Sequence, residues 1–310
     1  MNKQTGNNYQ SSKMEKALFA GEAKMGKSSF LVASALGMFP GQTEGGIVTS
    51  PKHLHVITAD SNALGGIKRF LLESCGAPAE ALEFNVLNMQ DDFRQASTSK
   101  TEYDSTFFNS VMQAVVEVES LVAARPGVHA VIVSSLTSMA LGLERSIAGP
   151  PQKKGNGMDQ SKWGAFSHQV NEMRSRLQRD MWHCLWEAHL YRPQDSGQDK
   201  DAPAKTETLQ VSGKSGQNFG NNVEHIYRVR RQFNNKLPGT KIDKVFLDPH
   251  ASFDFVAGGR NTTEALAPQE PDLTAVFTKL GLAVGGWRPS STRGTQPPPK
   301  VAVKQNVRPM

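Results

Sequence analysis

Gly21, Gly26, Lys27 and Ser28 in LFAGEAKMGKSSFLVA satisfy the spacing G-x-x-x-x-G-K-[ST], with an apolar run before it and a helical pattern after it. Glycines there let the backbone wrap closely, so that its N–H groups and the start of the following helix face phosphate oxygens. Lys27 supplies a point charge at the terminal phosphates and Ser28 an oxygen ligand for Mg²⁺. The expected chemistry is the binding of a nucleoside triphosphate with its metal ion. Gly21, Glu22, Ala23, Lys24, Met25, Gly26, Lys27, Ser28 and Ser29 are expected to form the cradle. Lys24 either touches phosphate or faces solvent, and the bland alternative is a glycine-rich turn that binds nothing.

Hydrolysis asks for more: a carboxylate on the metal side, a group to activate water, and a positive group for the developing charge. The run HAVIVSSLTSMA has the shape of a second phosphate-site strand, with Ser134 where an aspartate is expected. A hydroxyl at Ser134 can orient a metal-bound water but brings no negative charge. Asp60, closing VITAD, would compensate on the metal side if its strand neighbours the first one. Its other reading is the N-cap of a helix beginning at Ser61. His189 ends HCLWEAH and could sense the γ-phosphate or position water, since imidazole both donates and accepts. Glu187 could serve instead, provided the strand stays regular enough to point both residues the same way.

These residues must be carried by a sheet. Short apolar runs at Ala17–Ala20, His53–Ala59, Ala130–Ser134 and His183–His189 read as strands, followed by a pair at His225–Gln232 and Lys241–Leu247. Helical periods lie between them at Lys27–Met38, Ser105–Ala124 and Trp163–Arg179, the second stopped by Pro126–Gly127. This alternation predicts an α/β chain with a mostly parallel sheet, and the turn-rich Asn234–Gly239 predicts a C-terminal antiparallel hairpin. Two long polar segments, Gly142–Lys162 and Tyr191–Gly220, interrupt the pattern. Both are expected to emerge as loops at the sheet edge where open α/β sheets bind ligands.

With 310 residues, 38% hydrophobic and 21% charged, the chain can bury a sizeable core, which excludes a collagen, a coiled coil or a wholly disordered chain. No apolar run approaches the roughly 18 residues of a membrane span, and the polar start lacks the apolar stretch of a signal peptide, so a soluble intracellular protein is expected. Two cysteines argue against a disulfide framework. Of the net charge of +6, residues 1–16 carry +2 and residues 288–310 carry +5, which leaves −1 for residues 17–287. The proline-rich end reads as a disordered basic arm or a solubilising tail. The first polar segment nets +2 and the second is balanced. Phosphate backbones need such local charge, and bases stack on aromatics such as Tyr191 or Phe219.

In order, GEAKMGKSS, VITADSNAL, AVIVSSLTSM, WGAFSHQVNEMRSRLQ, LWEAHLYRP and LQVSGKSGQNFGNNVEHIYRVRR resemble the RecA-like P-loop ATPases of phages and related mobile elements, the compact single-strand annealing or recombination ATPases most of all. Only the phosphate loop is highly specific. The resemblance implies a RecA-like P-loop NTPase domain over 15–258, after a flexible segment 1–14 and before a C-terminal extension 259–287 and a disordered tail 288–310. It implies ATP and Mg²⁺ as cofactors, Asp60 as water activator and His189 as the switch residue. Segments 142–162 and 191–220 correspond to DNA-binding loops, with Lys153, Lys154, Arg192, Lys205 and Lys214 as backbone contacts. Arg228, Arg230 and Arg231 lie where such proteins send a basic finger into a neighbouring subunit. The partners implied are single-stranded DNA, further copies in a ring or filament, and replication or recombination proteins such as a single-strand DNA-binding protein, in the cytoplasm and away from membranes. A weakly hydrolysing switch or loader, and a helicase or helicase loader, are the alternatives.

Overall fold

The computed structural model describes residues 16–22, 26–35, 54–73, 85–125, 129–149, 158–191, 208–212, 218–220, 223–233, 242–248 and 258–259. In chain order these form β1 (Lys16–Gly21), α1 (Lys27–Ala35), β2 (Leu54–Thr58), α2 (Ser61–Glu73), β3 (Asn85–Asn88), α3 (Gln90–Thr98), α4 (Thr106–Ala124), β4 (Ala130–Ser134), α5 (Leu136–Ala148), α6 (Gln160–Leu177), β5 (His183–Tyr191), β6 (Thr208–Leu209), β7 (His225–Phe233), β8 (Ile242–Asp248) and β9 (Gly258–Gly259).

β2 and β4 are buried at every residue, and β1 at all but its first, as strands covered on both faces must be. They join one sheet in the order β3-β2-β4-β5-β1-β7-β8, with β6 beside β5 and β9 beside β7. The five pairings from β3 across to β7 are parallel, whereas β7–β8 is antiparallel. The α/β class, the mostly parallel sheet flanked by helices and the C-terminal hairpin are therefore as expected.

Alternation along the strands sorts the core. Leu18, Ile57, Val131, Val133, Cys184 and Trp186 point into the main hydrophobic cluster with residues of α3, α4, α5 and α6. The intervening Phe19, Val56, Ile132 and Leu185 are equally buried and face the other side, where α1 and α2 pack together.

α4 is long and apolar enough, by length and composition, to cross a bilayer, which departs from the expectation that no such stretch exists. Here its stripe Phe107, Val111, Ala114, Val115 and Val118 is buried in the core, while Glu117 and Glu119 break the apolar run on its other faces.

Gly142–Lys162 is not one loop. α5 continues to Ala148 and α6 starts at Gln160, so only the stretch around Lys153 and Lys154 lies outside the described residues. Leu136, Met139, Ala140, Leu143 and Ile147 are spaced at helical intervals and buried. Gly142, the first residue of that segment, is a packing contact within α5: a β-carbon there would run into the Phe107 ring. Lys162 is buried too, its ammonium 2.8 Å from Glu102 and 3.3 Å from the Ala148 carbonyl. The segment therefore starts from the end of α5, one element later than a strand-to-loop junction would put it. The ends 1–14 and 288–310 and the extension 259–287 lie outside the described residues, apart from Gly259.

Candidate phosphate and metal site

β1 ends at Gly21, Gly26 has φ +74°, and α1 begins at Lys27, so the motif lies between a strand and a helix as expected. The positive φ explains the glycine at position 26. Gly21 is needed for a different reason. A β-carbon there would stand 2.9 Å from the Val229 carbonyl oxygen, because β7 passes directly beside it. Ala23, Lys24 and Met25 lie outside the described residues. Glu22 is exposed, and Ser29 follows on α1.

Lys27 is buried, and its Nζ donates to the carbonyl oxygens of Gly21 (3.1 Å) and Glu22 (2.8 Å). These two carbonyl dipoles hold its ammonium against the start of the loop.

Ser28 connects three elements. Its Oγ donates to Glu187 Oε2 at 2.5 Å and accepts from Ser134 Oγ at 3.1 Å. Register explains the meeting. Val133 pairs with Trp186, so the next position brings Ser134 beside Glu187, both on the face covered by α1. Glu187 is 5% exposed. Burial pushes its carboxyl above the ordinary carboxylate range, the nearby negative charge of Asp60 adds to this, and Lys27 with the hydroxyls of Ser28 and Ser134 oppose it. Sequence reading placed Glu187 only as a stand-in for His189. Its signal was the regularity of β5, which runs unbroken to Tyr191.

β2 does not neighbour β1: β4 and β5 lie between them, contrary to the condition set for Asp60. Asp60 nonetheless lies near enough for its charge to act on both Glu187 and His189. It precedes α2, as the capping reading also requires, and its N–H donates to Thr58 Oγ1 at 3.1 Å. A cavity of about 300 Å³ opens beside it, lined by Ala59, Gln90, Phe93, Arg94 and Ser138.

His189 pairs in register with Gly21 and, two residues from Glu187, lies on the same face. Burial and the positive charge of Lys27 hold its imidazole below the ordinary value, with Asp60 acting the other way. Its N–H donates to Thr137 Oγ1 at 3.0 Å and its carbonyl accepts from Gln210 N–H at 2.8 Å, which fixes the end of β5.

Arg230 and Arg231 occupy β7 opposite Phe246 and Val245 of β8, and Arg228 pairs with Ala20. Lys153, Lys154, Arg192, Lys205 and Lys214 lie outside the described residues. Phe219 does not present a stacking face: it is buried, edge-on to Trp186 at 4.9 Å. Tyr191 is half exposed and borders a cavity of about 290 Å³ with Thr137, Leu141, Leu209, Gln210 and Ser212.

Two hydroxyls and one carboxylate form a hard oxygen set that suits Mg²⁺, an ion that keeps several waters and takes phosphate oxygens. Among the described residues no group of three His, Cys, Asp or Glu side chains forms a metal cage of its own.

Fold and site together define an α/β protein with a G-x-x-x-x-G-K-S motif between the interior strand β1 and helix α1. No protein-family model matches the chain, and no curated protein does. Among solved structures it is similar to a prototypical ATPase from the type III secretion system of pathogenic bacteria, with 12% identity, a TM-score of 0.45, and coverage of 86% of this chain and 64% of that one. The chain thus spans less than two thirds of that structure's length.

Proposed function

We propose that this chain binds and hydrolyses ATP with Mg²⁺, as a RecA-like protein of the phage annealing or recombination type that assembles through further copies and engages single-stranded DNA. The observation that carries the reading is the convergence of Lys27 and Ser28 at the strand-to-helix turn with a buried carboxylate and a second hydroxyl. Lys27 holds the terminal phosphates and Ser28 the metal side. Mg²⁺ neutralises phosphate charge there. Asp60 positions and activates the attacking water, and His189, whose neutral imidazole can donate or accept, reads the γ-phosphate and passes its state to the end of β5. Arg230 or Arg231 reaches into a neighbouring subunit's site, which makes turnover depend on assembly. The basic end from Arg288 and the segments carrying Lys153, Lys154, Arg192, Lys205 and Lys214 contact DNA phosphates, with Tyr191 as a stacking platform.

Ser134 favours one second reading, a nucleotide-dependent switch or loader with little turnover. ATPase measurement with and without single-stranded DNA, alongside mass in solution, separates the two. Stimulation by DNA in an oligomer supports the enzyme, and ATP binding with negligible turnover supports the switch. If Lys27→Ala left ATP binding unchanged, both would fall.

A further inference from the structure

We propose that Glu187 supplies, from β5, the carboxylate of the metal side of this site, one strand away from Ser134 on β4 where a carboxylate is expected. The inference rests on the nucleotide-binding reading and assigns a positioning residue within it.

Three observations carry it. The first is register: Val133 faces Trp186, so Ser134 and Glu187 are lateral neighbours on the α1 face, separated by about one strand spacing of 4.8 Å. The extra methylene of glutamate over aspartate extends its reach toward Ser28. The second is contact. Ser28 spends its hydroxyl proton on Glu187 at 2.5 Å, which leaves its oxygen lone pairs for another partner. Ser134 donates to that same Ser28 oxygen, so β4 contributes a hydroxyl and β5 the acid. The third is burial. A carboxyl withdrawn from water is costly unless something compensates, and here two serine hydroxyls and the charge of Lys27 surround it. A purely structural glutamate would need the serines alone, and the variants below tell the two apart.

The test measures affinity for ADP in excess Mg²⁺ and in EDTA, for the full chain and its variants, each checked by thermal unfolding. Wild type should bind more tightly with Mg²⁺. Glu187→Gln should lose most of that increment, by roughly tenfold, while its affinity in EDTA stays near wild type. Adding Ser134→Asp to Glu187→Gln returns a carboxylate to β4 and should restore the increment. An undiminished Mg²⁺ increment in Glu187→Gln overturns the proposal. If that variant does not fold, the double variant decides: a wild-type-like increment supports the assignment, and no increment in a folded double variant overturns it. Absence of ADP binding by wild type would sink the nucleotide-binding reading itself, a result distinct from binding that ignores Glu187.

Discussion

The Lys162 ammonium lies 2.8 Å from the Glu102 carboxylate, with the lysine 4% exposed and the glutamate 47% exposed. Removing the two partners should therefore have unequal effects. Glu102→Ala leaves a buried ammonium with the Ala148 carbonyl and should lower stability by about 2 kcal/mol, whereas Lys162→Met removes the charge and costs less. Urea unfolding of both variants checks the order.

Gly142 sits against the Phe107 ring with no space for a methyl group. Gly142→Ala should destabilise by about 1–3 kcal/mol through overpacking, despite its better helix propensity. Pairing it with Phe107→Leu should recover part of the loss, read as a non-additive double-mutant cycle in melting temperature.

Asp104 accepts the Thr106 N–H at 2.9 Å and so caps the start of α4. Its hydrogen bonds from Thr106, with Ser99 adding to them, hold its carboxyl below the ordinary range. A lowered folded value means the contribution is complete above the unfolded carboxylate range, about pH 4, and fades as pH falls through the folded value. Asp104→Ala should cost about 1 kcal/mol at neutral pH and show a shallower acid limb in a plot of stability against pH.

Tyr191 and Phe219 both lie at the edges of the second polar segment, yet one is half exposed and the other packed on Trp186. Phe219→Ala should cost about 3 kcal/mol or more of stability. Tyr191→Ala should leave the melting temperature nearly unchanged and weaken single-stranded DNA binding by roughly tenfold, the scale of one stacked base. Equal melting losses in the two would contradict this assignment.

Strands buried on both faces announce themselves as apolar runs, which is why β1, β2, β4 and β5 were legible to within two residues. The hairpin followed from its turn-rich connection. β3 and α3 were not legible: NVLN is a short, half-exposed edge strand, and QDDFRQAST buries only Ala96. α5 was not legible because its first turns follow directly on β4 and its last turn falls in the polar segment beginning at Gly142. At the site, the phosphate loop was explicit. The meeting of Ser28 with Glu187 was not, because it depends on which strand lies next to which, and strand order leaves no mark on local residue patterns. For the same reason the condition on Asp60, that its strand neighbour β1, could not be checked until the strand order put β4 and β5 between them.

β1 lies in the interior of the sheet, yet its neighbours are β5 and β7: Ala17 pairs with Leu185 on one side and His225 on the other. During synthesis the strand that leads into the phosphate loop must therefore wait for more than 160 further residues before either edge is covered. Folding is bound to be dominated by sequence-distant closures, which slow it and leave an apolar strand open to chaperones or to other chains meanwhile. A nascent chain arrested before His183 would carry every residue of the loop motif and neither of the strands that flank β1.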